Sequence, residues 1–275
     1  MLLAASDLDQ TLIFSSRSAR AETRSLVPVE RYRDADISWV TPTAWHSLAA
    51  LVRTGRFVPV TTRTPEQYLR VRWPGRPPEH AVTANGGIIL RHGVPDPDWT
   101  AAVTARVGAG APVEEVAGRL RDLTADLQAA VPGSADPTVR VVPGLFAYAV
   151  LREGQRPVLE GARLGELTAE LLDLGYACSL QGRKLYAVPV GVTKSAAVGE
   201  LVDRCGAAGF VAAGDSLLDV DLLRAARASR RPRHGELFLT GADVAGSELT
   251  AAAGAAAGEE IAAWLLGCVE GGLER

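Results

Sequence analysis

The sequence predicts an α/β protein, a parallel-sheet core interrupted by an inserted α+β unit. Two observations carry this. Short apolar runs at 2–6, 56–60 and 81–84 alternate with helix-length stretches in the first third of the chain, the order of a parallel sheet connected through helices. Between about 89 and 188 the order becomes helix, hairpin, helix, hairpin, and after Gly191 the first order returns. The expected division is therefore a Rossmann-like core at 1–88 and 189–275 and an αββαββ insertion at 89–188.

Taken in order, Leu2–Ser6 is a buried strand that runs into Asp7-Leu8-Asp9-Gln10-Thr11. The arginine-rich stretch Ser15–Asp36 has little periodicity and is expected to be a solvated surface loop, with room for a strand or flap near its end. Thr41 suits a helix N-cap and Pro42 the first turn, with Trp45, Leu48, Ala49, Leu51 and Val52 on one face and Gly55 as the stop. Arg56–Val60 is a strand ending in Thr61-Thr62-Arg63-Thr64, and Pro65 and Glu66 open another helix. Ala81–Leu90 reads as a third strand with a glycine turn.

In the insertion, Pro112–Val131 is amphipathic, and Thr138–Val142 with Leu145–Arg152 forms a hairpin through Pro143-Gly144. Arg163–Leu174 is the second helix, and Tyr176–Leu180 with Lys184–Pro189 the second hairpin. A helix then spans Thr193–Cys205, and Gly209–Ala213 is a strand ending in Gly214-Asp215-Ser216-Leu217-Leu218-Asp219, with a helix from about Leu217. Glu236–Thr240 is expected to be a strand, and Leu249–Val269 a final helix broken at Gly254 and Gly258.

The 275 residues are 47% hydrophobic and 22% charged, enough for a buried core in one or two domains. A net charge of -3 gives no basic field to recruit nucleic acid or an anionic membrane, so neither is an expected partner. No apolar run is long enough for a membrane span, and the start of the chain lacks the basic region of a signal peptide. Three widely spaced cysteines (Cys178, Cys205, Cys268) and four scattered histidines argue against a zinc site or disulfide framework. A reducing cytoplasm is the expected location, and a monomer or homodimer the expected state.

The chemistry lies at the strand ends. Asp-x-Asp alone is commonly just a turn. Here, however, Asp7 and Asp9 are joined by Thr61, by Asp215 and Asp219, and by Lys194 at a helix start. In a parallel sheet these positions converge on one crevice. Clustered carboxylates repel each other unless a cation relieves them, and an all-oxygen set suits magnesium. Phosphoryl transfer needs these parts: an oxygen nucleophile, cation ligands, and hydroxyls, N–H groups and an ammonium facing the phosphoryl oxygens.

These motifs resemble a known family. Asp7-Leu-Asp9-Gln-Thr11, Thr61, Lys194 and Gly214-Asp215-x-x-x-Asp219 are similar to the four motifs of haloacid dehalogenase (HAD) phosphohydrolases, and the αββαββ insertion resembles the cap of sucrose-phosphate and mannosyl-3-phosphoglycerate phosphatases. The resemblance implies a magnesium-dependent phosphatase acting on a small phosphorylated metabolite, a sugar phosphate or phosphoglycerate derivative, through an aspartyl-phosphate. Asp7 would be the nucleophile and Asp9 the acid–base. Thr61 and Lys194 would hold phosphoryl oxygens; Asp7, Asp9 through its carbonyl, and Asp215 would bind the metal, and Asp219 would bind it through water or hold Lys194. Substrate contacts are expected from Thr11, Thr62, Arg63, Asn85, Gly86, Arg183, Lys184 and Ser216. A phosphotransferase or mutase on the same fold, or a non-catalytic module binding a phosphorylated ligand, are the alternatives. The chain departs from the family at Gln10, where glycine is usual, at Thr62, where many relatives have glycine, and at Leu218, where asparagine is common. The basic stretch Arg230–His234 reads equally as a solvated loop or a second anion site.

Overall fold

A computed structural model describes residues 1–21, 23–108, 110–133 and 137–272. The chain forms two compact units, Met1–Pro97 with Thr193–Arg275, and Asp98–Val192.

The first unit is built on a parallel sheet. Its strands are β1 (Leu3–Ser6), then, after the β2 (Val27–Tyr32) and β3 (Ala35–Val40) hairpin and helix α1 (Pro42–Arg53), β4 (Phe57–Pro59). Helix α2 (Pro65–Tyr68) leads to a small antiparallel sheet of β5 (His80–Thr83), β6 (Ile88–Arg91) and β7 (Val94–Pro95). A parallel bridge from Val60 to Val82 joins that sheet to the end of β4. β1 lies between its neighbours with all four residues buried, as a small-residue run flanked on both sides must be. Helix α1 begins as its cap residues dictate: the Thr41 hydroxyl accepts from the Ala44 N–H at 3.1 Å, and Pro42 occupies the first turn.

The second unit contains α3 (Pro97–Val107, its first residue still in the first unit), α4 (Val113–Ala130), β8 (Thr138–Val142), β9 (Phe146–Val150), α5 (Gln155–Ala162), α6 (Leu164–Asp173), β10 (Tyr176–Gln181) and β11 (Lys184–Pro189). Its antiparallel sheet runs β10-β11-β9-β8. α4 and α6 turn Val116, Leu120, Leu127 and Leu171 into a core shared with Tyr176 and Leu185. Helices α3 and α5 escape the sequence reading: α3 has only a weak apolar stripe, and α5 spans just eight residues with Pro157 among them.

The first unit resumes with α7 (Lys194–Arg204), β12 (Phe210–Ala213), α8 (Val220–Ala225), β13 (Ser229–Arg231), α9 (Gly235–Leu239), β14 (Ser247–Leu249) and α10 (Ala255–Gly271). Its parallel sheet has the order β14-β13-β12-β1-β4, and α10 packs on α1 through Ile261, Ala262 and Leu265.

Four expectations need correction. The 15–36 stretch is not a solvated loop throughout. Val27–Val40 is a hairpin, and irregular register on either side of Glu30 obscures the alternation that would have announced it. Ala81–Leu90 is two antiparallel strands, reversed at Ala84, Asn85 and Gly86, all three with positive φ. Glu236–Thr240 is helical. Five apolar-rich residues carry too little periodicity to separate strand from helix, and the strand lies instead at Ser229–Arg231, inside the basic stretch. The final helix starts at Ala255, because Gly254 at φ 65 closes off the preceding loop.

Candidate active site

β1 delivers Asp7 to the carboxyl end of the sheet, where the Asp7 N–H donates to the Ala213 carbonyl of β12 at 2.9 Å. On the far side of β12 the chain turns through Asp215, Ser216 and Asp219. Thr193 caps α7, its hydroxyl accepting from the Ala196 N–H at 3.2 Å, and that cap places Lys194 at the first helical position with its side chain 1% exposed.

The Lys194 ammonium joins these elements. Its Nζ donates to Asp7 Oδ1 at 2.7 Å and to Asp219 Oδ1 at 2.6 Å. The other Asp219 oxygen accepts from the N–H groups of Asp215 (3.1 Å) and Ser216 (2.9 Å) and from the Ser216 hydroxyl (2.8 Å). The Thr11 hydroxyl lies 3.3 Å from Asp7 Oδ2 and 3.5 Å from Asp215 Oδ1. Thr61 is fully buried, and its hydroxyl accepts from the Arg63 N–H at 3.2 Å. Its carbonyl accepts from the Asn85 N–H, so the positive-φ turn at Asn85 and Gly86 is pinned beside it. A Cβ at Gly86 would fall on the Thr193 carbonyl, so only glycine lets that turn approach the start of α7.

The electrostatics follow from burying three carboxylates with one ammonium. Desolvation disfavours charge on Asp7, and Asp219 and Asp9 add repulsion. Lys194 opposes them only in part, and the Asp7 carboxyl is pushed up to about 7. Asp215 is raised well above the usual carboxylate range, first by burial and then by Asp7 and Asp219. Burial alone would lower the proton affinity of Lys194, but Asp219 and Asp7 outweigh it and hold the ammonium above its ordinary value. A divalent cation fits such a centre. One oxygen each from Asp7, Asp215 and Asp219 lie within 4.8 Å of one another, and hard oxygen donors in excess of local positive charge are what magnesium or calcium takes.

Asp9 stands apart from that cluster. Its carboxylate, 48% exposed, is gripped by Arg63, whose Nε and Nη2 each donate at 2.8 Å in a bidentate pair. The remaining Arg63 nitrogen, Nη1, donates at 2.8 Å to Glu30. Burial works against the guanidinium charge, but Asp9 and then Glu30 outweigh it and hold Arg63 firmly protonated. Arg63 is thus bound to Asp9, two residues beyond Asp7, rather than presented as a bare substrate contact. Thr62 is half-buried beside it. Arg183 and Lys184 belong to the second unit, at the turn and first residue of the β10–β11 hairpin, where the Lys184 ammonium lies 6.0 Å from the Tyr148 ring centre.

Three participants escape the sequence reading. Glu30 has no local signal, since only the hairpin register turns it inward. His234 reaches across 224 residues: Nε2 donates to the Gln10 carbonyl at 2.7 Å, while Nδ1 accepts from the Gly254 N–H at 3.1 Å. Burial, chiefly, lowers its proton affinity below the ordinary value, and the two bonds fix the tautomer. Gly235, at φ 83, lies so close to Asp215 that a Cβ would come within 2.5 Å of its carboxylate. The basic stretch is also accounted for structurally. Arg230 donates to Glu248 at 2.6 Å and covers Trp264, and Arg231 donates to the Ala242 carbonyl.

The architecture is a Rossmann-like parallel-sheet core with additional antiparallel sheets. Solved structures that share it include phosphatases of the HAD superfamily. The chain matches the sucrose-phosphatase of Synechocystis sp. PCC6803, solved with sucrose and phosphate, with a TM-score of 0.60 and 16% identity over 96% of this chain and 97% of that one. It matches the C-terminal domain of the C. albicans trehalose-6-phosphate phosphatase with a TM-score of 0.58 and 13% identity over 96% and 91%. A HAD subclass IIB sugar phosphatase aligns with a TM-score of 0.50 and 12% identity over 90% and 94%. No family model and no curated protein matches the chain by sequence.

Proposed function

We propose that this protein is a magnesium-dependent phosphatase of a small phosphorylated metabolite, a sugar phosphate or a phosphoglycerate derivative. The observation that carries the reading is the buried Lys194 bridge between Asp7 and Asp219, with Asp215 and Thr11 alongside. Asp7 is held at both oxygens, one by Lys194 and one by Thr11, so it presents a fixed carboxylate for attack on phosphorus. The product of that step is an aspartyl-phosphate on Asp7 and a free alcohol. Asp9 supplies the proton to the leaving oxygen and then takes one from the water that hydrolyses the acyl phosphate. Thr61 and Lys194 face the phosphoryl oxygens. Asp7, Asp215 and the Asp9 carbonyl would hold magnesium, with Asp219 behind, and the bound ion would supply charge neutralisation at those oxygens.

We assign substrate selection to the second unit, Asp98–Val192, with Arg183 and Lys184 as its candidate contacts. The sugar phosphatases among the structural neighbours support a phosphorylated sugar as the substrate class.

The test is release of inorganic phosphate from a panel of sugar monophosphates and phosphoglycerates, with magnesium and with chelator. Magnesium-dependent release that disappears in a folded Asp7→Asn variant is the expected result. Turnover retained by that variant would remove Asp7 as the nucleophile.

A further inference from the structure

Glu30 is 1% exposed, on a hairpin whose other charged residues, Arg31, Arg33, Asp34 and Asp36, face solvent. A buried carboxylate is costly unless every oxygen is used, and here both are. Oε2 accepts from Arg63 Nη1 at 2.8 Å and from the Ser38 hydroxyl at 2.8 Å, while Oε1 accepts from Arg70 Nε at 3.1 Å. The backbone around it is fastened on two sides. Glu30 pairs with Ser38 across the hairpin and bridges to Val71, and the Arg72 N–H donates to the Val29 carbonyl at 2.7 Å. Glu30 is therefore a rigid point, and what it holds is the one Arg63 nitrogen that Asp9 leaves over.

Asp9 needs such support. Half exposed on a loop, an aspartate side chain has several rotamers open to it, and proton transfer fails if the carboxylate strays by a fraction of an ångström. The planar guanidinium of Arg63 transmits position well, because its donors form a fixed fork. With Nη1 anchored, the edge formed by Nε and Nη2 can hold both Asp9 oxygens in one place.

We infer that Glu30 is a positioning residue for proton transfer, fixing Arg63 and, through Arg63, the carboxylate of Asp9. This rests on the reading of Asp9 as the acid–base of a phosphatase. The Val27–Val40 hairpin then serves the chemical step itself.

The leaving group provides the test. A general acid matters for an alkoxide leaving group and hardly at all for a nitrophenolate, which departs without a proton. The readout is kcat/KM for the best-hydrolysed sugar monophosphate divided by kcat/KM for p-nitrophenyl phosphate. That ratio does not depend on how much of a preparation is active, so a partly misfolded variant does not distort it. General acid catalysis is worth about 10²–10⁴-fold, and a displaced acid should forfeit part of it. Glu30→Gln should lower the ratio roughly 10-fold or more, with the aryl substrate changing by less than about 3-fold.

An unchanged ratio in Glu30→Gln overturns the proposal. If that variant does not fold, Ser38→Ala keeps every charge and removes only one bond to Glu30. It should lower the ratio about 3-fold, and no change there is equally fatal. An Asp9→Asn control separates the two levels. If Asp9→Asn collapses the ratio and the Glu30 variant does not, the positioning role alone is lost. If Asp9→Asn leaves the ratio unchanged, or the wild type releases phosphate from neither substrate, the underlying reading fails and takes this one with it.

Discussion

Replacing Asp7 with asparagine should inactivate the protein and yet stabilise it at alkaline pH when metal is withheld. The sign follows from proton counting. Asp7 sits at about 7 in the folded chain and at 3.8 when exposed. Between those values the unfolded chain has released the proton and the folded chain keeps it. Stability therefore falls as pH rises through that window, reaching its full loss above about pH 7. The whole shift, roughly three units, corresponds to about 4 kcal/mol at 1.36 kcal/mol per unit. Part of it has already been lost at pH 5, so about 3 kcal/mol remains to be lost between pH 5 and pH 8. Asparagine cannot ionise and is spared that loss. It does weaken the bond from Lys194, which keeps Asp219 as its partner, and this penalty is present at both pH values. Urea unfolding of both proteins in chelator at pH 5 and pH 8 measures the difference directly. The stability of Asp7→Asn relative to wild type should shift in its favour by about 3 kcal/mol on going to pH 8. Adding magnesium should narrow the gap by stabilising the wild type more. A pH-independent difference, or one that moves against the variant, would show that the buried carboxylate is not strained as described.

Two positive-φ positions test the loops that frame the centre. Gly86→Ala, at φ 97 and against the Thr193 carbonyl, should cost more than about 2 kcal/mol and cut phosphate release by displacing the start of α7; a thermal melt within a degree of wild type would contradict the close approach. Gln10 is a side chain forced to φ 64, where glycine carries no steric strain. Gln10→Gly should leave stability unchanged or raise it by up to about 1 kcal/mol, strain relief being offset by the greater freedom of the unfolded chain. A loss above about 1.5 kcal/mol in urea melts would mean that the Gln10 side chain contributes more than its backbone costs.

The groups that sequence could find are those placed by local rules. Asp7 and Asp9 follow a strand, Thr61 ends another, and Lys194 follows a threonine that caps a helix; each position is set within a few residues by strand ends and caps. Glu30 and His234 obey no such rule. Glu30 is turned inward by a register shift and becomes intelligible only with Arg63, Ser38 and Arg70 around it. His234 donates to a backbone carbonyl 224 positions away, in a basic stretch that composition reads equally as a solvated loop or an anion site. The same stretch hides β13, since an arginine such as Arg230, whose charge is met by Glu248 and whose plane covers Trp264, can sit in a sheet. Local periodicity cannot see a distant partner, and it misleads most where one neutralises a charge.

The centre is costly as a structural element. Three carboxylates and one ammonium lie at or below 7% side-chain or residue exposure, and replacing such a cluster with apolar side chains of similar volume is commonly neutral or stabilising. A fold has no need of it, and a site that merely bound a phosphate dianion would be hindered by the repulsion. A displacement at phosphorus does need it, because a fixed anion must meet an anionic group and a cation must screen the encounter. The same reasoning divides the labour of recognition. On the proposed reading, Lys194, Thr61, Thr11 and the three carboxylates would address a phosphoryl group and a cation, which are identical for every phosphate monoester. The alcohol that carries the phosphate must be recognised by side chains beyond this buried set.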